Sequence, residues 1–306
     1  MRVRAPATSA NLGPGFDVFG LALREPYDVV EAVEIPEKTA RIKVMEGYQV
    51  PVDPRENTGG YVVLSMIRDF DLDKGLELRI WKRIRPGSGL GSSAATAAAA
   101  AYLVNEIFDL NLGLEDLVHY ASLGEVVSAG VPHLDNVAPA IYGGFTIVSS
   151  RDPLKIYGID PPSEIAVVVA LPEIEKGSTK KAREVVPKEV SISDLVHNVG
   201  KASVLAAGMA LKDLEMIKAG MADVVVEPAR SRAGIIPHYE ELKSLGEALG
   251  AGVAVSGAGP AVIGVIEKAS ASKLASSFKE FYKSKGCGCE VYVTEPGPGV
   301  SKLEER

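Results

Sequence analysis

The chain has 306 residues, of which 46% are hydrophobic, and a formal net charge of −7 at pH 7. This length favours two domains, and the acidic balance argues against a nucleic-acid partner, which would require a basic surface. No apolar run reaches the ~20 residues of a membrane span, and none follows the N-terminal arginines as in a signal peptide. We therefore expect a cytoplasmic protein for a small-molecule ligand, with no membrane partner and with Cys287 and Cys289 as reduced thiols.

The first half of the chain alternates between strand-like and helical patterns. Strands are predicted at RVRAPA, YDVVEAVEI, ARIKVME, LELRIWKRI and GGFTIVSS, where polar and apolar residues alternate or β-branched residues are frequent. Helices are predicted at NTGGYVVLSMIRDF, at the alanine-rich tract that follows PGSGLGSS, and at DLVHYASLGEVV. RDPLKIYGIDPPS is rich in turn-forming residues and is interpreted as a connection.

The second half begins with the apolar strand EIAVVVALP, and further strands are predicted at AGVAVS, AVIGVIE and CEVYVTE. Helices are predicted at SISDLVHNVGKASVLAAGMAL, HYEELKSLGEAL and SASKLASSFKEFYKSK. This alternation indicates an α+β or α/β protein. We place the boundary between the two domains near residue 155, giving domains of residues 1–155 and 156–306.

A glycine-rich segment, PGSGLGSS, lies between a predicted strand and the alanine-rich helix. Glycine allows positive φ angles and a close approach of backbone N–H groups to a ligand, and a helix N-terminus attracts anions. The segment is therefore predicted to hold phosphate groups. Alanine favours the helix while adding little bulk, so this helix can pack closely against its neighbours.

Two better-known phosphate loops fit this segment poorly. A P-loop would have a lysine before its hydroxyl residue, and this segment has none. A dinucleotide loop would need G-x-G-x-x-G and an acidic residue about 20 positions later, which here falls inside the helix, at Glu106 or Asp109. An ordinary glycine turn capped by serine is the remaining alternative.

Three segments resemble, in order, the three motifs of the GHMP kinases, the family of galactokinase, homoserine kinase, mevalonate kinase and phosphomevalonate kinase. They are PATSANLGPGFDVFGLAL (6–23), PGSGLGSSAAT (86–96) and SGAGPAVIG (256–264). The resemblance implies a two-domain α+β GHMP kinase fold. Its N-terminal domain would be ribosomal-protein-S5-like with a left-handed β-α-β unit, and its C-terminal domain ferredoxin-like. It also implies that SGAGPAVIG closes on the phosphate loop.

The residues between the motifs are similar to those of the homoserine kinase group. This resemblance is carried by HLDNVAPAIYGG, STKKAREVVP and EPARSRAGIIP. Mevalonate kinases have Ser-Gly-x-Asp near the first of these segments, so His133 distinguishes the two groups. The resemblance implies L-homoserine as substrate, with Arg183 and Arg230 at its carboxylate, which the planar guanidinium suits. The other implied substrate-binding residues are Asn11, Asp17, His133, Asn136 and Thr179.

The resemblance also implies ATP as phosphoryl donor and Mg²⁺ as cofactor. Magnesium requires oxygen ligands, and Ser93 and Glu125 are the implied pair, while Asn57 is implied near the adenine. The implied phosphate-binding residues are Pro86, Gly87, Ser88, Gly89, Leu90, Gly91, Ser92 and Ser93.

The expected reaction is a direct in-line transfer of the γ-phosphoryl group. Asn136, Asp135 and Arg183 are the implied catalytic residues, and Asp135 is either a base or an organiser of the pocket. The alternatives are another GHMP kinase, acting on mevalonate or shikimate, and a nucleotide-binding regulator without turnover. A homodimer is an expectation from the family.

Overall fold

The computed structural model of this chain describes residues 1–174 and 179–303, with the backbone alone at residues 129, 179 and 180. The elements of the first part are β1 (Arg2–Ala10), β2 (Phe19–Ile35), β3 (Ala40–Gly47), α1 (Thr58–Asp69), β4 (Gly75–Lys82), α2 (Ser92–Ile107), α3 (Leu114–Ala129), α4 (Leu134–Tyr142), β5 (Phe145–Arg151) and β6 (Leu154–Ile159).

The elements of the second part are β7 (Ile165–Pro172), α5 (Thr179–Glu184), α6 (Ile192–Leu211), α7 (Leu214–Gly220), α8 (Val226–Arg232), α9 (Tyr239–Ala248), β8 (Gly252–Val255), β9 (Val262–Glu267), α10 (Ala271–Ser284), β10 (Cys289–Thr294) and β11 (Ser301–Lys302).

The described residues form two sheets. The first has seven strands in the order β11-β1-β2-β4-β3, with β5 paired to β2 and β6 paired to β5. Strands β3 and β4 are parallel and are connected through α1, which makes the expected β-α-β unit, although its left hand stays a prediction. The second sheet is antiparallel with the order β10-β7-β9-β8, the arrangement of a ferredoxin-like domain. The α+β fold class is confirmed.

The position of strand β7 in the fold explains why its sequence is apolar without interruption. All eight of its residues are buried, and its two faces contact different groups of buried side chains. Val167, Val169 and Leu171 belong to the core shared with the first sheet, whereas Val168 and Ala170 pack beneath α9 and α10. A strand covered on both faces needs no polar side, so the usual alternation disappears.

Helix α2 lies in the middle of the first part of the chain. Its alanines between Ala94 and Ala101 are fully buried, and the helix contacts α1, α3, α4 and β1. Small side chains permit this close approach on several sides at once, as the sequence predicted. The start of α2 is thereby held firmly at the centre of the molecule.

The structure differs from the sequence-based elements at a few places. The segment interpreted as a connection contains strand β6, which pairs with β5, and α4, α7 and α8 were not anticipated as helices. The predicted boundary at residue 155 falls inside β6, and β11 returns the chain to the first sheet. The exact division into domains stays a prediction.

Candidate active site

A cleft of about 720 Å³ lies where the two sheets' loops meet. Most of the residues proposed from the sequence line it: Asn11, Asp17, Asn57, Pro86, Gly87, Ser88, Gly89, Gly91, Ser92, Ser93, Glu125, His133, Asp135, Asn136, Arg183 and Arg230. Leu90 does not, because its side chain is buried in the core. The side chain of Thr179 lies outside the described residues, and its backbone begins α5.

The glycine loop has the backbone that a phosphate cradle needs. Gly87, Gly89 and Gly91 all have positive φ angles, and Gly91 directly precedes α2. No described side chain caps the first turn of α2, so its first N–H groups are available to an anion. The Ser92 hydroxyl instead donates to the carbonyl of Ile84 at 2.9 Å, which fixes the loop to the end of β4.

A second glycine loop, residues 256–260, supports the first. The Ser256 hydroxyl donates to the carbonyl of Gly89 at 2.8 Å, and the N–H of Ala261 donates to the carbonyl of Ser88 at 3.1 Å. A Cβ atom on Gly89 would lie 2.4 Å from the carbonyl oxygen of Ser256, so the two loops meet at backbone distance. This contact is the one that the motif resemblance implied.

Ser93 and Glu125 form the candidate metal site. Glu125 is almost fully buried, and its Oε1 atom has no hydrogen-bond partner among the residues the structure describes. Burial raises the pKa of Glu125 to about 7, while a hydrogen bond from Ser93 opposes that shift. A buried carboxylate oxygen without a partner beside a hydroxyl fits Mg²⁺, since this ion takes oxygen ligands and would compensate the buried charge.

Lys82 lies beneath the start of α2 and was not singled out from the sequence. Its ammonium donates to Asp28, to the carbonyl of Ser92 at 2.5 Å and to the hydroxyl of Thr96 at 2.9 Å. Asp28 in turn accepts from the backbone N–H groups of Arg83 and Ile84. This buried ion pair therefore joins β2, β4 and α2 directly below the glycine loop.

The signal for this pair is present in the two strands. Lys82 follows the buried Leu78 and Ile80 at intervals of two, and Asp28 precedes the buried Val30 at the same interval. The pairing of Val29 with Trp81 also places Asp28 opposite Lys82. A charged residue at an inward position of each strand predicts a partner across the pair.

The two candidate carboxylate-binding arginines both lie near one aromatic ring. Arg183 and Arg230 have their guanidinium carbons 5.7 and 5.5 Å from the ring centroid of Phe16, another residue not anticipated from the sequence. Arg230 is only 4% exposed and donates to the carbonyl of Gly257 at 2.7 Å and that of Ala182 at 3.1 Å. Arg183 instead forms an ion pair with Asp17.

An acidic cluster lies next to these arginines. Oxygen atoms of Asp17 and Asp135 and a ring nitrogen of His133 all lie within 4.8 Å of one another. Burial, and secondarily the charge of Asp17, raises the pKa of Asp135 to about 7. The cleft therefore offers cations and anions side by side at one end, which suits a zwitterion.

Asn57 and Asn11 are fixed by hydrogen bonds in the walls of the cleft. The side-chain oxygen of Asn57 caps α1 by accepting from Gly60 at 3.1 Å, and its amide donates to the carbonyl of Pro51 at 2.8 Å. The Asn11 amide donates to the carbonyl of Gly257 at 2.9 Å. Contacts of either residue with adenine or substrate stay predictions.

Comparison with known proteins agrees with this geometry. The family described as GHMP kinases N terminal domain matches residues 59–144, and GHMP kinases C terminal matches residues 205–284. A homoserine kinase of Methanococcus maripaludis is 47% identical and one of Halorubrum lacusprofundi 43%, each match covering 99% of both chains.

A solved structure extends the likeness to three dimensions. The crystal structure of a homoserine kinase from Cytophaga hutchinsonii has a TM-score of 0.91 and 34% identity, covering 98% of this chain and 96% of that one. The likeness thus includes both sheets and the cleft between their loops. This chain belongs to the GHMP kinase family.

Proposed function

We propose that this chain transfers the γ-phosphoryl group of ATP to the side-chain hydroxyl of L-homoserine, giving O-phospho-L-homoserine, a step of threonine biosynthesis. The observation that carries the proposal is one cleft that joins a glycine loop at a helix N-terminus with two arginines beside an acidic cluster. The loop suits phosphates, and the arginines and carboxylates suit an amino acid. The name of the relatives, homoserine kinase, supports the same substrate.

On the nucleotide side, membership of a kinase family implies ATP use. The N–H groups of the glycine loop and of the first turn of α2 would bind the phosphates, with the loop held in place by Ser256. Ser93 and Glu125 would hold Mg²⁺, which when bound neutralises charge on the phosphates. Asn57 and the chain near Pro51 form the end of the cleft where the base would lie.

On the acceptor side, Arg230 and Arg183 would bind the carboxylate of homoserine. Arg183 would exchange its contact with Asp17 for the substrate, which would leave Asp17 available to the ammonium group. His133, Asn11 and Thr179 would complete this pocket. The amino acid would then be fixed at both charges with its hydroxyl directed toward the glycine loop.

The transfer itself would be direct, because positioning and charge stabilisation provide most of the catalysis in phosphoryl transfer. Asn136 lies beside Gly91 of the glycine loop and directly follows Asp135 of the acidic cluster along the chain, so the hydroxyl would react near these two residues. A pKa of about 7 suits Asp135 as the acceptor of the hydroxyl proton at neutral pH.

A substrate panel tests the proposal. ADP formation is measured with Mg²⁺, ATP and, in parallel reactions, L-homoserine, mevalonate, shikimate, galactose or L-threonine. We expect turnover with homoserine well above every other alcohol. Preference for another alcohol would replace homoserine with that substrate within the same family, and no turnover with any of them would favour a nucleotide-binding regulator.

Replacing Arg230 by alanine should raise the KM for homoserine by about 10- to 100-fold and leave the KM for ATP within about twofold, because a charged hydrogen-bond partner contributes ~1.5–3 kcal/mol. Steady-state kinetics with each substrate varied in turn measure both constants. Arg232→Ala is the matched control, since Arg232 lies on the same helix and is exposed. Equal increases in the two constants would contradict the assignment.

The remaining expectations concern a membrane partner, a homodimer and the cellular location. None of the helices in the described residues is long and apolar enough to cross a bilayer. The homodimer and the cytoplasmic location stay proposals that rest on the family and on the two unpaired thiols.

A further inference from the structure

Thr8 and Asn136 meet beneath the glycine loop. Thr8 is fully buried in β1, and its hydroxyl donates to the Oδ1 atom of Asn136 at 2.9 Å. Its backbone N–H also donates to the carbonyl of Leu90 at 3.1 Å. A Cβ atom on Gly91 would lie 1.9 Å from the Thr8 hydroxyl and 3.0 Å from Asn136 Oδ1, so the three groups are in direct contact.

In this structure the hydrogen bond holds the Oδ1 end of the Asn136 amide toward Thr8. An asparagine amide has one oxygen that accepts and one nitrogen that donates. Since Oδ1 faces the hydroxyl of Thr8 inside the protein, Nδ2 is the end directed into the cleft that Asn136 lines. Without the hydroxyl, the amide could rotate and present its oxygen instead.

The two orientations have opposite effects on phosphoryl transfer. Negative charge is spread over the oxygens of the transferred group, so a donor fixed beside them stabilises the transition state. An amide oxygen at the same place would repel those oxygens. The orientation of Asn136 therefore matters as well as its presence.

We propose that Thr8 is a positioning residue that holds Asn136 as a hydrogen-bond donor toward the anionic oxygens of the reacting groups. The proposal deepens the phosphoryl transfer proposed above and rests on it. It assigns Asn136 the stabilisation of charge and leaves the removal of the hydroxyl proton to another group.

Thr8→Val tests the proposal because valine keeps the branched shape and removes the hydroxyl. We expect kcat to fall by about 10- to 100-fold, with both KM values within about twofold. Thr8→Ser, which restores the hydroxyl, should recover most of kcat. Thr146→Val is the matched control, since Thr146 is equally buried in the same sheet and its hydroxyl makes, among the described residues, only a long hydrogen bond of 3.4 Å to the carbonyl of Gly20.

The double variant Thr8→Val/Asn136→Ala separates positioning from general loss of structure. If Thr8 acts through Asn136, adding Thr8→Val to Asn136→Ala should lower kcat by less than about twofold further. Asn136→Asp should be as inactive as Asn136→Ala, because a carboxylate cannot donate. Multiplicative losses in the double variant, or an active Asn136→Asp, would overturn the proposal.

The outcome does not depend on the identity of the substrate. The kinetics are measured on whichever alcohol of the panel the unaltered chain phosphorylates, so a different substrate changes the proposed function alone. If no alcohol reacts, the nitrogen-15 NMR signal of the Asn136 side-chain amide, identified by its loss in Asn136→Ala, provides the second readout. A shift of this signal in Thr8→Val but not in Thr146→Val supports the hydrogen bond, and an unshifted signal overturns it.

Discussion

Replacing Glu125 by glutamine should lower kcat at saturating ATP by about 100- to 1,000-fold, the largest loss of activity we expect, because a bound metal contributes several kcal/mol to such a reaction. Glutamine keeps the shape and one oxygen but removes the charge that would bind Mg²⁺. Titration of Mg²⁺ at fixed ATP measures the activation constant, which should rise together with the loss of kcat.

The matched control for this change is Glu115→Gln. Glu115 is on the same helix, and its ion pair with Lys155 is partly exposed, so its replacement should leave the dependence on Mg²⁺ unaltered. An unchanged activation constant in Glu125→Gln would remove Glu125 from the metal site.

The dependence of stability on pH provides a second readout of Glu125. Because its pKa is raised to about 7 in the folded state from 4.5, the metal-free folded protein retains a proton that the unfolded chain has lost. The contribution of Glu125 to the free energy of unfolding should therefore fall as pH rises from about 4.5 to about 7. Urea unfolding at several pH values without Mg²⁺ should show a flatter profile for Glu125→Gln, and identical slopes would contradict it.

Lys82→Met should lower the free energy of unfolding by about 3–5 kcal/mol, because it leaves the carboxylate of Asp28 buried without its charged partner. Methionine fills most of the same volume, so the loss reports the charge and its hydrogen bonds. Chemical denaturation measures it. Activity should fall as well, since the ammonium also binds the first turn of α2.

The double variant Lys82→Met/Asp28→Asn is the internal control. It removes both charges while the asparagine oxygen can still accept from the N–H groups of Arg83 and Ile84, so it should be more stable than Lys82→Met alone. Lys74→Met, which removes an exposed ion pair with Glu34, should change stability little. A small loss in Lys82→Met would show that the buried pair does not support the loop.

Much of the fold and of the site was predictable because the signals are local. The run of glycines before an alanine-rich helix specifies a turn with positive φ angles and a helix N-terminus from neighbouring residues alone. The apolar segment EIAVVVALP likewise predicted a strand, and the structure shows that strand β7 is buried on both faces. The three motifs then supplied the family resemblance, and with it most of the residues that line the cleft.

The strand β6 escaped prediction because its residues carry few strand signals between prolines and glycines. Its pairing with β5 provides the hydrogen bonds that its own sequence does not suggest. The helix α4 also lacks a clear signal in its own sequence, because Pro139 lies inside it. The packing of α4 against β1 and β2 maintains the helix.

By itself, the sequence determined the order of the motifs, the glycine loop before a helix and the residue types that suit an amino-acid substrate. Only the tertiary structure decided which distant residues lie together: Lys82 with Asp28, Phe16 with two arginines, and Thr8 with Asn136. Spacing along the chain specifies backbone conformation within a few residues. Hydrogen bonds and charge pairs between segments depend instead on distances that arise when the two sheets pack, and these distances set the chemistry of the cleft.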